Sequence, residues 1–300
     1  MVFLTGATGF IGRRLVARLD RPGRELRLLV RGDRPPAGAA GGGGAVLVRG
    51  ALEDPASYAE ALRGCNTVIH LAARTGKARP AEHFRVNAEG TAKLLDECRT
   101  AGVSRFLHVS SIAAGYADKR AYPYARSKER AEDAVRASGL RYLILRPTIV
   151  LGAGSPAWRG LAALAGAPVI PVFGDGRSRV QPVDVDDLAG CLLDLLEKDH
   201  FTGEVIEAGG RDVLAIEDLL ARIHRALRGR EPRVVHLPGR ITVSLLAAAE
   251  IVLLPWMPLT AGQLSVFLND GAAKPHPFME GRLSRMKGVG EMIECANRGE

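Results

Sequence analysis

A chain of 300 residues with 47% hydrophobic and 25% charged content can bury one large α/β core or a major domain with an appendage, which excludes a disordered or fibrous protein. Its net charge of +8 comes from arginines and lysines scattered along the chain without interleaved aromatics, so no nucleic-acid partner is expected. Cys65, Cys98, Cys191 and Cys295 form no Cys-x-x-Cys pair and have no zinc spacing with histidine, which argues against a disulfide framework or a metal site and fits a reducing, cytoplasmic setting.

The first apolar run, Val2-Phe3-Leu4, leads into Thr5-Gly6-Ala7-Thr8-Gly9-Phe10-Ile11-Gly12 and then into a helical pattern carrying Leu15, Val16 and Leu19. Glycine at every third position lets the backbone turn tightly, approach a pyrophosphate closely and pack the following helix on the strand. The helix then aims unpaired N–H groups and a positive dipole end at the phosphates. Strand, turn and helix stand in the order a dinucleotide cradle requires. With the strand beginning at the second residue, no export signal is expected.

The second strand-like run, 25–30, ends in Val30-Arg31. A fold that prefers NAD(H) usually places an acid there for the ribose 2′-hydroxyl, whereas the guanidinium of Arg31, with Arg13 just after the last glycine, suits a 2′-phosphate. NADP(H) is therefore expected, and Asp33 keeps NAD(H) open. Prolines and glycines across Gly32 to Gly44 predict a mobile loop.

Further runs at 45–49, 67–71, 105–109 and 141–146 alternate with helical periodicity at 82–101 and 121–138. That alternation predicts an α/β fold, a Rossmann-type doubly wound parallel sheet. Residues 1–150 read as the dinucleotide-binding domain, with later segments near 180–210 returning to it, and 151–300 as a smaller substrate-side or partner region. Helices are expected near 186–197 and 215–228. The apolar stretch 241–254 falls short of the roughly 20 residues a spanning helix needs. It is expected as a helix buried in the second domain, with an amphipathic membrane contact as the alternative. The last 30 residues are weakly patterned and are expected to wrap that domain or stay loose.

Chemistry enters at Tyr124-Ala-Arg-Ser-Lys128, where a phenol and an ammonium four residues apart share one face of a helix. A free tyrosine titrates near pH 10 and is a poor base at neutral pH. A cation at Lys128 and an oxidised nicotinamide would both favour the phenolate, so Tyr124 could exchange a proton with an alcohol or ketone while hydride moves. Lys128 could also hold the nicotinamide ribose. The strand Phe106-Leu-His-Val109 ends in Ser110-Ser111, at the sheet edge where open α/β sheets bind ligands, and a hydroxyl there could steady the substrate oxygen. Tyr122 competes with Tyr124, but the residue four on from it is Arg126, which cannot share a proton.

These residues together resemble the extended and atypical branches of the short-chain dehydrogenase/reductase family, over roughly residues 1–230. Thr5-Gly6-x-x-Gly9-x-x-Gly12 is similar to its cofactor turn, and Val68-Ile-His-Leu71-Ala72-Ala73 to its fourth-strand motif beside the cofactor. Asn87-Ala-Glu-Gly-Thr91 resembles the helix carrying a structural or active-site Asn. Ser111, with Ser110 as the alternative, Tyr124 and Lys128 match its catalytic positions. Leu145-Arg-Pro147 with Ile149 and Val150-Leu-Gly152 matches the strand and loop flanking the nicotinamide, and Val185-Asp-Asp187 matches a helix start in the substrate half. The resemblance implies an NAD(P)-dependent oxidoreductase or epimerase/dehydratase-like enzyme acting on a small molecule, with a homodimer contact near the helices 82–101 and 121–138.

Two departures bear on the substrate. The family commonly places an Asp after the third strand for the adenine amine, and this chain reads Gly50-Ala51-Leu52, leaving Glu53 or Asp54 to replace it. Sugar-nucleotide members carry an Arg-Asp-Phe run where this chain reads Arg179-Val-Gln-Pro-Val-Asp184, a one-residue offset that turns the arginine to the opposite strand face. A nucleotide-sugar epimerase is thereby disfavoured. The Gln-Pro-Val stretch is closer to the branch of the complex I accessory subunit, where NADP(H) serves assembly without turnover. Retention of Tyr124 and Lys128 favours catalysis.

Overall fold

The computed structural model describes residues 1–32, 44–254, 256–257 and 259–299, so most of the glycine-rich loop expected over 32–44, with Asp33, lies outside the described residues. The chain divides into two compact units. The first comprises Met1–Ser111, Arg126–Arg146 and Leu188–Ile206, and the second Ile112–Ala125, Pro147–Asp187 and Glu207–Glu300.

The first unit is built on strands β1 (Val2–Thr5), β2 (Leu26–Val30), β3 (Val46–Arg49), β4 (Thr67–His70), β5 (Arg105–Val109) and β6 (Arg141–Pro147). With the strand Val205–Ala208 they make a seven-stranded sheet in the order Val205–Ala208, β6, β5, β4, β1, β2, β3. β1 to β6 pair in parallel. Central parallel strands are covered on both faces, which is why β1 and β4 are buried at every residue, their apolar centres flanked by the buried polar side chains of Thr5, Thr67 and His70. β3 has exposed ends, as an edge strand does. Phe3, Leu29, Leu62, Val68, Leu94, Phe106 and Ile144 form the core on one face. The chain steps from β1 to β2 and β3 on one side and to β4, β5 and β6 on the other. A crevice therefore opens at the carboxyl ends of β1 and β4, the switch point where such sheets bind ligands.

The helical pattern of 82–101 is one helical stretch from Pro80 to Thr100, with a wider π-turn over Phe84–Glu89. The helix of 121–138 spans Pro123–Arg136.

The second unit packs around the helix Ile216–Arg228, whose Ile216, Leu219, Leu220 and Ile223 recur with helical period on a buried face. The helix Pro156–Ala165 lies against it, started by Ser155, whose side chain accepts from the Trp158 N–H. Of the two alternatives for the last 30 residues, packing on the second unit is the one observed, and the expectation for 241–254 is corrected. The C-terminal segment is ordered into helices Pro277–Leu283 and Val289–Arg298, and Val289, Met292 and Ile293 enter the core. The apolar stretch near 241–254 does form a helix, Gly239–Leu253, but it is not buried all round. Val243 faces the core, whereas Ile241, Leu245 and Val252 are 62%, 67% and 72% exposed. Each leaves about 1.5–3 kcal/mol of burial unrealised.

Candidate active site

The cradle lies where β1 hands over to the helix Phe10–Leu19. Gly6 takes φ +77°, and a Cβ there would stand 2.6 Å from the Ala72 nitrogen and 2.7 Å from the Leu71 carbonyl carbon. A Cβ on Gly12 would stand 2.1 Å from the Gly6 oxygen. Both positions therefore demand glycine: the first for its backbone and the close pass of the β4 loop, the second for the tight helix–turn contact. Gly9 caps the helix without a side chain, and the first turn carries no acid, so a positive helix end faces the crevice. Thr8 and Gly9 are exposed, Phe10 and Ile11 half-buried, and Arg13 exposed one residue beyond Gly12. A cavity of about 240 Å³ opens here, with Gly6, Thr8 and Gly9 on one wall, Leu71, Ala72 and Ala73 on the other, and Arg31 and Leu52 at its end. The expectation missed Leu29, Val30, Gly50, Arg74, Thr75 and Val86, which also line it. Glu53, one of the two carboxylates expected to replace the aspartate missing at Ala51, lines the same cavity.

Thr5 and Asn87 support this cradle from behind. Thr91 donates its hydroxyl proton to the Asn87 carbonyl at 2.6 Å, so its oxygen accepts from His70 Nε2 at 2.8 Å. His70 Nδ1 is then the acceptor for the Thr5 hydroxyl at 2.6 Å, and the Thr5 oxygen accepts the Ala72 N–H at 3.2 Å. This chain of bonds fixes the His70 tautomer and fastens the loop after β4 to β1. Burial, with Lys128 nearby, pulls the His70 pKa down to about 3, so the ring stays neutral. Asn87, buried inside the π-turn, accepts the Arg74 N–H at 2.6 Å and donates to the Arg74 carbonyl at 3.0 Å and to Ser127 Oγ at 2.9 Å. These three bonds tie the backbone at Arg74 to the helix that carries Ser127.

Lys128 is only 1% exposed, and its Nζ donates to the Val109 carbonyl at 2.8 Å and stands 3.3 Å from His108 Nε2. Burial lowers its pKa to about 8, against the opposing pull of Glu132. His108 stacks on His70 with centroids 5.2 Å apart, because parallel register places the two opposite each other in β4 and β5.

Ser110 leaves the contest for the substrate hydroxyl. Its side chain is buried and donates to Glu132 Oε1 at 2.6 Å, while Ser111 is half-buried at the sheet edge. Glu132 also accepts two bonds from Arg146, at 2.8 and 2.7 Å, and one from Arg136 at 2.8 Å. Burial alone would raise that carboxyl, but the bonds from Arg146, Ser110 and Arg136 hold it below its ordinary value. Four donors on two oxygens leave nothing unsatisfied, and the network ties the end of β5 to β6 and to the helix that carries Lys128. Glu132 stands one turn beyond Lys128, a spacing from which the sequence could have suggested it.

Tyr124 is half-buried one turn before Lys128 on Pro123–Arg136. Its ring stands 5.6 Å from that of Tyr122. Burial drives the phenols of Tyr116 and Tyr122 far up, with Tyr124 adding to both, so neither gives up its proton. Pro147 and Ile149 fall in the second unit, where Thr148 donates to the carbonyl of Gln181 and Gln181 Nε2 donates to the Gly210 carbonyl at 2.7 Å. Arg179 is exposed and pairs with Asp270.

The sequence model described as NAD dependent epimerase/dehydratase family matches residues 2–209. A ceramide reductase of Caulobacter vibrioides is 35% identical over 277 residues, covering 87% of this chain and 79% of that protein. Subunit 9 of the NADH dehydrogenase [ubiquinone] 1 alpha subcomplex of Arabidopsis thaliana, a mitochondrial protein, is 28% identical over 82% of this chain and 62% of its own length. Among solved structures, a short-chain dehydrogenase/reductase superfamily protein from Agrobacterium tumefaciens with bound NAD superposes with a TM-score of 0.64 at 27% identity, covering 80% of this chain and 86% of that one.

Proposed function

This chain belongs to the NAD dependent epimerase/dehydratase family, and from that premise we propose that it is a nicotinamide-dependent reductase of a ketone carried on an amphipathic, lipid-like molecule. The observation that carries the reading is the pairing of a half-buried Tyr124 with a fully buried Lys128 of depressed pKa, one turn apart on one helix. The likeness to a ceramide reductase supports the substrate class.

The glycine positions fit a dinucleotide, since a Cβ at Gly6 or Gly12 would collide with the backbone that shapes the cradle. Gly6 and Gly9 would hold the diphosphate by their backbone, Leu52 and Leu71 the adenosine, and Ala72 and Ala73 the path toward the nicotinamide. When bound, the nicotinamide supplies the hydride. Tyr124 delivers the proton from its phenol to the ketone oxygen, Ser111 orients that oxygen, and Lys128 holds a ribose and makes the phenolate easier to form. A second reading, an NADP(H)-binding accessory protein, is supported by the likeness to the complex I subunit.

Arg31 and Arg13 support NADP(H). Thermal-shift titration should show Arg31→Ala weakening NADPH by about tenfold or more and NADH little, as expected for loss of a charge-assisted bond to phosphate; equal weakening of both would remove the preference. Oxidation of NADPH by wild-type protein over a panel of long-chain and short ketones tests the reaction itself. Consumption with the long-chain ketones is expected, and none with any ketone would defeat the reductase reading.

A further inference from the structure

Nine large hydrophobic side chains are exposed among the described residues, and five of them, Ile241, Leu245, Val252, Leu253 and Trp256, fall within one 16-residue segment. Ile241, Leu245, Ala248 and Val252 recur at four, three and four residues, so they form a single stripe along Gly239–Leu253. Polarity on this helix is inverted. Val243 faces the core, and the helix's only acid, Glu250, is turned away from the stripe to accept the Ala261 N–H. Trp256, 77% exposed, adds a large apolar side chain just past the helix end. A contiguous apolar surface of this kind on a soluble unit marks a contact site.

We propose that this face seats the protein on an anionic lipid bilayer surface, with the stripe and Trp256 entering the headgroup boundary. Charge selects this occupant. Arg228, Arg230, Arg233 and Arg240 are exposed in the segment leading into the helix. The only acids from 228 to 256 are Glu231, which pairs with Arg225, and the inward Glu250. An apolar stripe preceded by a basic segment is the pattern of an interfacial helix, and tryptophan is the residue suited to that depth; within that segment Arg228 is bonded to the Gly166 carbonyl and Arg240 stands beside Asp118. A second copy of the chain fits less well, because a two-fold contact would set this basic segment against itself, an excess of arginine that Asp118 beside Arg240 does not offset. The helix is too short to span a bilayer, and no helix among the described residues is long and apolar enough to do so.

The test uses the whole protein with vesicles of phosphatidylcholine alone and of phosphatidylcholine mixed with phosphatidylglycerol. Wild type should float with the mixed vesicles and not with pure phosphatidylcholine. Its tryptophan emission should shift to the blue on binding, a shift that Trp256→Phe removes, since the other tryptophan, Trp158, is buried. Leu245→Glu should reduce flotation to background with circular dichroism and NADPH binding unchanged; if it fails to fold, Ile241→Ser with Val252→Ser takes its place. Absence of wild-type flotation on the mixed vesicles, equal binding to both vesicle types, or a blue shift that grows with protein concentration without lipid would each overturn the proposal. Flotation requires no turnover, so its failure leaves the reductase reading standing, and failure of that reading leaves the docking surface standing.

Discussion

Replacing Tyr124 by Phe should lower kcat for ketone reduction by about two to four orders of magnitude, the usual worth of a positioned proton donor, while the Kd for NADPH stays where it was. The phenolic hydroxyl is the only group removed. The ring contact with Tyr122 survives in phenylalanine, so the start of Pro123–Arg136 keeps its packing. Tyr122→Phe is the matching control. Its phenol is held protonated by burial, so its removal should leave kcat nearly unchanged. Equal loss in the two variants would mean that the effect is structural and that Tyr124 carries no special chemistry.

Lys128→Met should lose turnover by about a hundredfold or more and at the same time gain stability. A lysine whose pKa is drawn from 10.5 to about 8 disfavours folding by about 3 kcal/mol wherever both states are charged. Methionine fills similar space without charge and forfeits the bonds to the Val109 carbonyl and His108 Nε2, about 1 kcal/mol each, for a net gain of about 1 kcal/mol at neutral pH. The pH dependence carries the sign. Below about pH 8 the folded and unfolded chains both hold the proton and the difference is full. Between about 8 and 10.5 the unfolded lysine still holds its proton and the folded one does not, so wild-type stability rises with pH relative to the variant. Denaturant unfolding of both proteins across that window should show the gap closing. A variant less stable than wild type at pH 7 would mean that the buried amine holds the fold together.

Much of the fold is legible in the chain because central parallel strands bury both faces. β1, β4 and β5 announce themselves as apolar runs, and each lies within a residue of where those runs place it. The glycine turn is legible for a similar reason, since steric demand at Gly6 and Gly12 admits one residue type. What stays hidden depends on alignment between strands. Nothing local in Val68-Ile-His or Phe106-Leu-His says that His70 and His108 stack, or that Glu132 gathers Ser110, Arg136 and Arg146.

The C-terminal helices were obscured by residues that act as boundaries and not as breakers. Pro277 opens a helix at its first turn, where a missing N–H costs nothing, and Gly288 stands at the N-cap of the next. The helix Gly239–Leu253 misleads in another way. Val243, Leu246 and Ala247 lie on one side of it and Ile241, Leu245 and Val252 on the other, so composition cannot say which side the core takes.

Transfer of deuterium from NADPH labelled at the nicotinamide C4 to the carbinol carbon of a long-chain ketone substrate, read by mass spectrometry, tests the enzymatic account most directly. Label is expected in the product with wild type, and with Tyr124→Phe at a rate lower by about two to four orders of magnitude, although both proteins bind the cofactor. Stoichiometric NADPH binding by wild type, with the label returned intact in the cofactor, would contradict it and leave the dinucleotide as a structural element of the fold.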